Sequence, residues 1–405
     1  MYIGELLDMK QLREDMANRK ISVNYHPTLP LAILNYTNEC MFENYWSEAV
    51  KICRGLIVET LGADRNHEII PEATVVARPF RKFFGLDHAG QEDSSFVNLP
   101  QVTPVVTEKV DGWLGILWEY HDKTGTPHWG IASRGSFTSP GAQFGTEKLR
   151  KMIKYGAIHE FPKGYTPVFE IIFKAGRIVI RYPFEGLILL GCVNIETGED
   201  LSYDVLRDVW AKIASYSAGV PWIRLVHAHN MTLNECLADK RLDREGYVLS
   251  FPRPGTYPIK VKVKLEEYKR LHKLITGVTA QQIWEEMANP TKQMLQEPVP
   301  AHYRDWVMAH QDRFNRTFAS SLLNIMGVVE KTPRAIYAVN NNEDLKDHTV
   351  RSEVIAALQA SDPINAGLAM MIMEGKVTEV FHAIWTPIRP HGRETDTFYR
   401  DGQGE

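Results

Sequence analysis

An α+β chain in two parts is what the sequence predicts, on three observations. Up to about residue 275, short β-branched and apolar runs alternate with polar turns marked by glycine and proline, as antiparallel strands require. From Thr276 onward the apolar residues recur at three- and four-residue spacing, as helices require. Lysines, arginines and glutamates also stand inside or at the mouths of the strand-like runs, where an inert core would exclude them. The expected organisation is a sheet-rich domain over residues 1–275 that carries the chemistry. An all-α domain over 276–405 follows, with a loose polar tail from about residue 387.

In chain order, Met1 to Arg19 reads as a helix with Leu6, Leu7, Met9, Leu12 and Met16 on one side. Leu31 to Cys40 is extended and contains Tyr36, and Cys53 to Glu59 is a strand with Arg54 at its entrance. Ala73 to Gly85 turns from β-branched to basic and aromatic. Pro79 breaks the strand there, and Arg78, Arg81 and Lys82 lie close by. Val105 and Val106 form a short strand that delivers Glu108, Lys109 and Asp111 to a turn at Gly112, and a second strand leaves from Ile116 to Tyr120. Next come a strand at His128–Ser133, the triplet Arg134-Gly135-Ser136 and a helix from Gly141 to Tyr155.

Thr166 to Phe173 reads as a buried strand, yet Glu170 sits in its middle, so that carboxylate is either paired or functional. Arg177 to Tyr182 alternates like a strand, with Arg177, Val179 and Arg181 on one face. Gly186 to Val193 is a strand, and Asp204–Ser215 and Thr232–Ala238 are helices. Glu245 and Gly246 stand at the mouth of a strand that ends at Phe251. Tyr257 to Lys264 alternates so that Lys260, Lys262 and Lys264 share a face. Two readings fit that row: an exposed edge strand guarded by lysine, or a floor that receives an anion. In the helical part, Thr279 and Gln282 form a capping box and Asn289-Pro290 stops that helix. Pro300 opens a long helix that Gly327 closes, and further helices span Val350–Ala360, Pro363–Glu374 and Val377–Trp385.

Composition narrows the class without choosing it. Apolar content of 44% and charged content of 24% suit a soluble globular protein, and no apolar run approaches the ~20 residues of a membrane helix. Met1 to Asp8 lacks the layout of a signal peptide, and Cys40, Cys53, Cys192 and Cys236 are scattered without a C-x-x-C, so a reduced cytoplasmic setting is expected. A net charge of −4 leaves nucleic-acid binding to whatever charge a groove concentrates. Zinc-protease, serine-elbow and P-loop patterns are absent, and the His227/His229 pair reads as incidental.

The stretch around which these pieces gather is Lys109-Val110-Asp111-Gly112, a K-x-D-G pattern. A lysine on a strand end, a carboxylate two residues on, and a glycine that admits a ligand suit covalent chemistry on a phosphate. Alone, the pattern fits equally a surface Lys and Asp at a hairpin. Its company changes that: Cys53-Arg54-Gly55, the A-R-P-x-x-K-F-F segment with Lys82, Arg134 with Ser136, Phe169-Glu170, Arg177-Ile-Val-Ile, Glu245-Gly246, and Lys262-Val-Lys264 with Tyr268 and Leu271-His272. In this order the set resembles the adenylyltransferase motifs of the RNA ligase 1 family of T-even phages, over roughly residues 30 to 275. Trp113, where many members carry a small polar residue, and the additional Lys260 depart from the family pattern.

The resemblance implies an antiparallel-sheet nucleotidyltransferase domain of the ATP-grasp-like ligase fold. It also implies ATP-dependent joining of a 5′-phosphate to a 3′-hydroxyl through a lysyl-AMP and an adenylated RNA end. By it Lys109 is the nucleophile, Asp111 orients or relays at the lysine, and Lys262 and Lys264 bind phosphates and assist deprotonation. Glu245 and Glu170 would hold Mg²⁺, with Mn²⁺ able to replace it, and Glu170 could instead meet the ribose. Tyr36, Arg54, Lys82, Glu108, Gly112 and Arg134 complete the nucleotide contacts. Implied partners are RNA with 5′-phosphate and 3′-hydroxyl ends, single-stranded or in a tRNA anticodon loop, and an end-healing polynucleotide kinase-phosphatase. A monomer away from membranes is expected, with the helical domain choosing the RNA. A DNA ligase or capping guanylyltransferase shares K-x-D-G but usually continues into short strands, and a non-enzymatic RNA-binding protein would leave Glu170 and Glu245 beside Lys109 without a purpose.

Overall fold

A computed structural model describes residues 1–60, 69–176, 178–216, 222–241, 243–288 and 301–391. The chain divides into two compact units, Met1–His272 and Lys273–Glu405. Among the described residues, no helix is long and apolar enough to cross a membrane.

The strands of the first unit are β1 (Ile21–Tyr25), β2 (Leu31–Tyr36), β3 (Arg54–Glu59), β4 (Val75–Ala77), β5 (Phe84–Gly85), β6 (Val105–Lys109), β7 (Trp113–His121), β8 (Pro127–Ala132), β9 (Tyr165–Ile172), β10 (Gly186–Asn194), β11 (Ile223–Leu225), β12 (Ala228–His229), β13 (Gly246–Phe251) and β14 (Ile259–Lys264). They form three sheets, ordered β1-β2-β3-β4, β11-β10-β9-β7-β8 and β12-β6-β13-β14-β5. Pairing is antiparallel except where β11 joins β10 and β5 joins β14.

Both faces of the first sheet are covered, which is why β2 and β3 read as unbroken apolar runs. Ala32, Leu34, Leu56 and Val58 face the N-terminal helices through Ile3, Leu12 and Val50. Leu31, Ile33 and Ile57 face the second sheet through Ile116, Trp118 and Tyr120. The far face of the second sheet is covered by the helices Pro140–Lys154 and Tyr203–Ser215, whose Leu149, Met152, Leu206 and Ile213 pack on Phe169, Ile171, Leu187 and Leu189. Alternation therefore turns Phe169 and Ile171 into that core and Glu170 to the opposite face, so the charge escapes the strand's apolar side.

Several local expectations are corrected. The N-terminal helix is two helices, Ile3–Leu6 and Met9–Ala17, because Asp8 caps the second by accepting from the amides of Lys10 and Gln11. β6 and β7 do not make a hairpin: after Lys109 the chain leaves the third sheet and enters the second. Residues 178–182 form no strand, since the amides of Val179 and Ile180 donate to the Asp111 carboxylate rather than to a ladder, and Arg177 lies outside the described residues. β14 is no edge strand, because β13 and β5 flank it and the lysine row lies within the sheet.

The second unit is helical wherever it is described: Ala280–Ala288, Ala301–Lys331, Pro333–Asn340, His348–Ser361, Ala366–Met373 and Val377–Trp385. Gly327 does not close the long helix, which continues to Lys331 because Ile325 and Val328 on either side are buried in the core. Pro333 at the first position opens a helix that the spacing did not suggest. The expected stop at Asn289-Pro290, the opening Pro300 and the tail beyond residue 391 lie outside the described residues.

Gly246 is the tightest point of the third sheet. Its φ is +149°, and a Cβ there would lie 2.0 Å from the Val263 carbonyl oxygen. Gly246→Ala is therefore expected to destabilise the protein by on the order of 2–4 kcal/mol in urea unfolding. Unchanged stability would contradict this register of β13 on β14.

Candidate active site

Three neighbouring strands carry the first group of residues. Gly246 on β13 pairs with Lys109 on β6 and with Lys264 on β14, so the two lysines flank the strand that begins just after Glu245. Lys109 Nζ lies 2.6 Å from Glu245 Oε2, and Lys264 Nζ lies 2.9 Å from Oε1. Glu245 is buried, with 4% of its side chain exposed. Burial pushes its carboxyl up, but the two ammonium groups outweigh that and hold it below the usual range.

Glu170 comes from the second sheet, where it pairs with Leu114 on β7 and Ile188 on β10. Its Oε1 accepts the Gly112 amide at 3.0 Å. A Cβ at Gly112 would meet the Ile171 carbonyl at 2.7 Å and Glu170 Cγ at 2.9 Å, so the turn after Asp111 can close on β9 only with glycine. Burial pushes Glu170 up to about 8; Lys109 and Arg54 pull it down and Glu245 and Asp111 push it up.

A second group gathers on Tyr36 at the end of β2. Arg134 Nη1 donates to its hydroxyl at 2.8 Å, and Lys82 Nζ at 3.3 Å. Lys82 also sits 4.5 Å from the centroid of the Trp46 ring and 5.4 Å from that of Phe84. Burial pushes the Tyr36 phenol up, yet Arg134, Arg54 and Lys82 together bring it below its ordinary value. Arg54 is held by the Phe80 carbonyl at 3.2 Å. Lys262 joins the two groups: burial first, then Lys82, Lys109, Arg54 and Lys264, push its ammonium well below the usual lysine range. Among the described residues it has no carboxylate within ion-pair distance. Cations outnumber carboxylates here, which suits a polyanion such as a triphosphate.

Two expected residues are placed differently. Asp111 is buried and spends both oxygens away from Lys109: Oδ2 accepts from Val179 and Ile180, each at 2.8 Å, and Oδ1 from the Tyr268 hydroxyl at 2.7 Å. Its own amide donates to the Tyr182 hydroxyl at 2.9 Å. Asp111 thus anchors the loop over residues 178–182 and Tyr268 beneath the nucleophile motif. Glu108 points to the other face of β6 by alternation, where its charged neighbours are Arg244, His227, Asp243 and Arg241, and burial raises its carboxyl. Trp113 packs edge-on against Phe173, with 5.5 Å between ring centroids, and takes no part in the polar cluster. Tyr182, Trp46 and Phe83 were not singled out from the sequence. They lie outside any alternating charged run, and each reaches the site through a loop or a short helix end.

The donor chemistry fits a divalent ion carried by phosphates better than one in a protein cage. No group of three or more His, Cys, Asp or Glu capable of holding a metal occurs among the described residues. Glu245 and Glu170 nonetheless face the same cation-lined space, and two carboxylates plus phosphate oxygens are the usual set for Mg²⁺.

The raised Glu170 carboxyl yields a pH signature. Its protonated form is favoured in the folded state, so its stabilising contribution is full below the ordinary carboxyl range and is lost as pH rises through about 8. Without nucleotide or metal, Glu170→Gln should match the wild type in thermal stability near pH 5 and exceed it by pH 9. A constant difference across that range would contradict the assignment.

A family model described as RNA ligase matches residues 52–268, more than half of the chain. A protein of Thermovibrio ammonificans, described as a candidate RNA ligase, is 28% identical over 206 residues, half of each chain. The chain thus spans about half the length of the curated relative it matches. Among solved structures, an archaeal ATP-dependent RNA ligase aligns over 90% of this chain and 79% of its own, at 13% identity and a TM-score of 0.43. A Naegleria gruberi RNA ligase solved with ATP and Mn aligns over 42% of this chain and 51% of its own, at 16% identity and a TM-score of 0.33. The match over residues 52–268 begins before Arg54 and ends at Tyr268, enclosing Lys109, Glu170, Glu245, Lys262 and Lys264 and leaving, of the strands, only β1 and β2, with Tyr36, before it: this chain belongs to the RNA ligase family.

Proposed function

We propose that this protein is an ATP-dependent RNA ligase that works through a lysyl-AMP intermediate on Lys109. The observation that carries the reading is the placement of Lys109 at the end of β6, ion-paired to Glu245 and close to Lys262, Lys82 and Arg54, for which no carboxylate lies within ion-pair distance among the described residues. In the first step Lys109 Nζ forms a bond to the α-phosphorus of ATP, the bond to pyrophosphate breaks, and the ammonium proton is released. The AMP then moves to the 5′-phosphate of an RNA, and the 3′-hydroxyl of a second end displaces it.

Each residue has a defined task in that sequence. Arg54, Lys82, Arg134, Lys262 and Lys264 bind the phosphates, and Tyr36 holds Arg134 and Lys82 in position. An ammonium cannot attack, so Lys109 has to leave its ion pair with Glu245 and give up a proton before it bonds to the phosphorus. Glu245 and Glu170 would hold Mg²⁺ or Mn²⁺, which would supply charge neutralisation for the transferring phosphoryl group. Gly112 lets the turn after Asp111 close on β9, where its amide meets Glu170, and Asp111 fixes the loop over residues 178–182.

The finer biology follows from the same reading. We assign the protein to RNA repair, including broken tRNA, alongside a polynucleotide kinase-phosphatase that restores the termini. The helical unit is assigned the choice of RNA, and the working state is a cytoplasmic monomer.

The test is label transfer. With Mg²⁺ and [α-³²P]ATP the wild type should acquire acid-labile label on denaturing gels, with none from [α-³²P]GTP, and should circularise a 5′-phosphorylated single-stranded RNA. Lys109→Ala should reduce labelling to background. Persistent labelling of that variant, or label from GTP alone, would overturn the proposal.

A further inference from the structure

A narrow cleft adjoins the cation cluster on the side away from Lys109 and shares Lys82, Phe83 and Phe84 with it. Its other walls include Phe80, Arg81, Tyr257 and Lys260. The lysine row of β14 leads to it: Lys264 and Lys262 lie in the site, and Lys260, on the same face, lines the cleft. Along that row the chemistry changes. Lys262 has no carboxylate partner among the described residues, whereas Lys260 is neutralised by Asp200 and lies 3.7 Å from the centroid of the Phe80 ring. Arg81 is likewise neutralised, with Nη2 on both Glu48 oxygens at 3.1 and 3.0 Å, and its guanidinium stands 3.9 Å from the Tyr257 ring centroid. Arg253 lies 4.6 Å from the same centroid. Lys264 is paired with Glu245, so the charge left without a carboxylate among the described residues is that of Lys262 and its neighbour Lys82. In the cleft the charge is compensated, and aromatic and guanidinium surface takes its place.

Such a gradient fits a nucleotide chain entering from outside. Phosphates need the uncompensated lysines, while a base needs a planar, apolar-sided partner and a few donors. Arg81 offers a guanidinium plane held in orientation by Glu48 and Tyr257. We propose that this cleft is a binding site for a base of the RNA strand that carries the 5′-phosphate, with that base stacked on Arg81. The continuity with Lys82 and Lys262 favours a base within a strand over a free nucleotide, because the strand's terminal phosphate then lies toward Lys109. This inference rests on the RNA-ligase reading above.

The experiment uses the full chain and 5′-phosphorylated oligoadenylates, with binding read by fluorescence anisotropy and enzyme–AMP formation from ATP read in parallel. For the wild type, an abasic sugar at one of the first three positions should weaken binding about tenfold, the scale of one stacked base. Arg81→Lys keeps the charge and loses the plane. It should bind the intact strand about as weakly as the wild type binds that abasic strand, be indifferent to the abasic site, and still form enzyme–AMP at the wild-type rate. Gln91→Trp, which narrows the cleft without removing a contact to the strand, should weaken RNA binding in the same way and serves if Arg81→Lys does not fold. Wild-type affinity in both variants, rescue by lysine, or indifference of the wild type to every abasic site would overturn the inference. Failure of the wild type to form enzyme–AMP would instead overturn the underlying reading.

Discussion

Glu245 bonded between Lys109 and Lys264 is the contact on which the rest of the first unit depends. The three residues reach one another only because β6, β13 and β14 are adjacent and in register at Gly246. A buried carboxylate of this kind is tolerated when two cations surround it, and removing either would leave a charge poorly compensated. The same contact ties Lys109 Nζ to a carboxylate, so any reaction at that nitrogen has to break the pair. Stability of the resting protein and departure of Lys109 from the pair are thus opposed at a single side chain.

Around that contact the charge balance is deliberately incomplete. Burial first, and then Lys82, Lys109, Arg54 and Lys264, disfavour the Lys262 ammonium. Like charges this close repel by about 1 kcal/mol in water and by several where the site is dry, so an anion that fills the space relieves a cost already present. A triphosphate fits that requirement, and so does the 5′-phosphate of a strand after pyrophosphate has left. Asp111 and Tyr268 serve the arrangement from below by keeping the turn at Gly112 in place, without touching the reacting groups.

Much of this was legible in the sequence because charge inside a strand is unusual. The row Lys260, Lys262, Lys264 could be singled out by alternation, Glu170 as a charge inside an apolar run and Glu245 as a charge at a strand's mouth, and the structure places the lysines on β14, Glu170 on β9 and Glu245 just before β13. The β-strands were legible for the same reason: both faces of β2 and β3 are buried, so their runs are apolar throughout. What stayed hidden depended on contacts distant in sequence. Residues 178–182 alternate like a strand, but Asp111, some seventy positions earlier, captures their amides. The K-x-D-G segment reads as a hairpin, but its two strands are claimed by different sheets. Gly327 reads as a helix end, yet the packing of Ile325 and Val328 carries the helix past it.

The account stands most directly on the chemical identity of the adenylated residue. Full-length protein incubated with ATP and Mg²⁺, digested under mildly alkaline conditions that spare a phosphoramidate, can be mapped by tandem mass spectrometry. An AMP adduct on Lys109, absent when ATP is omitted, is the predicted result. An adduct confined to Lys262, Lys264 or Lys82, or no adduct in protein that still seals RNA, would contradict it.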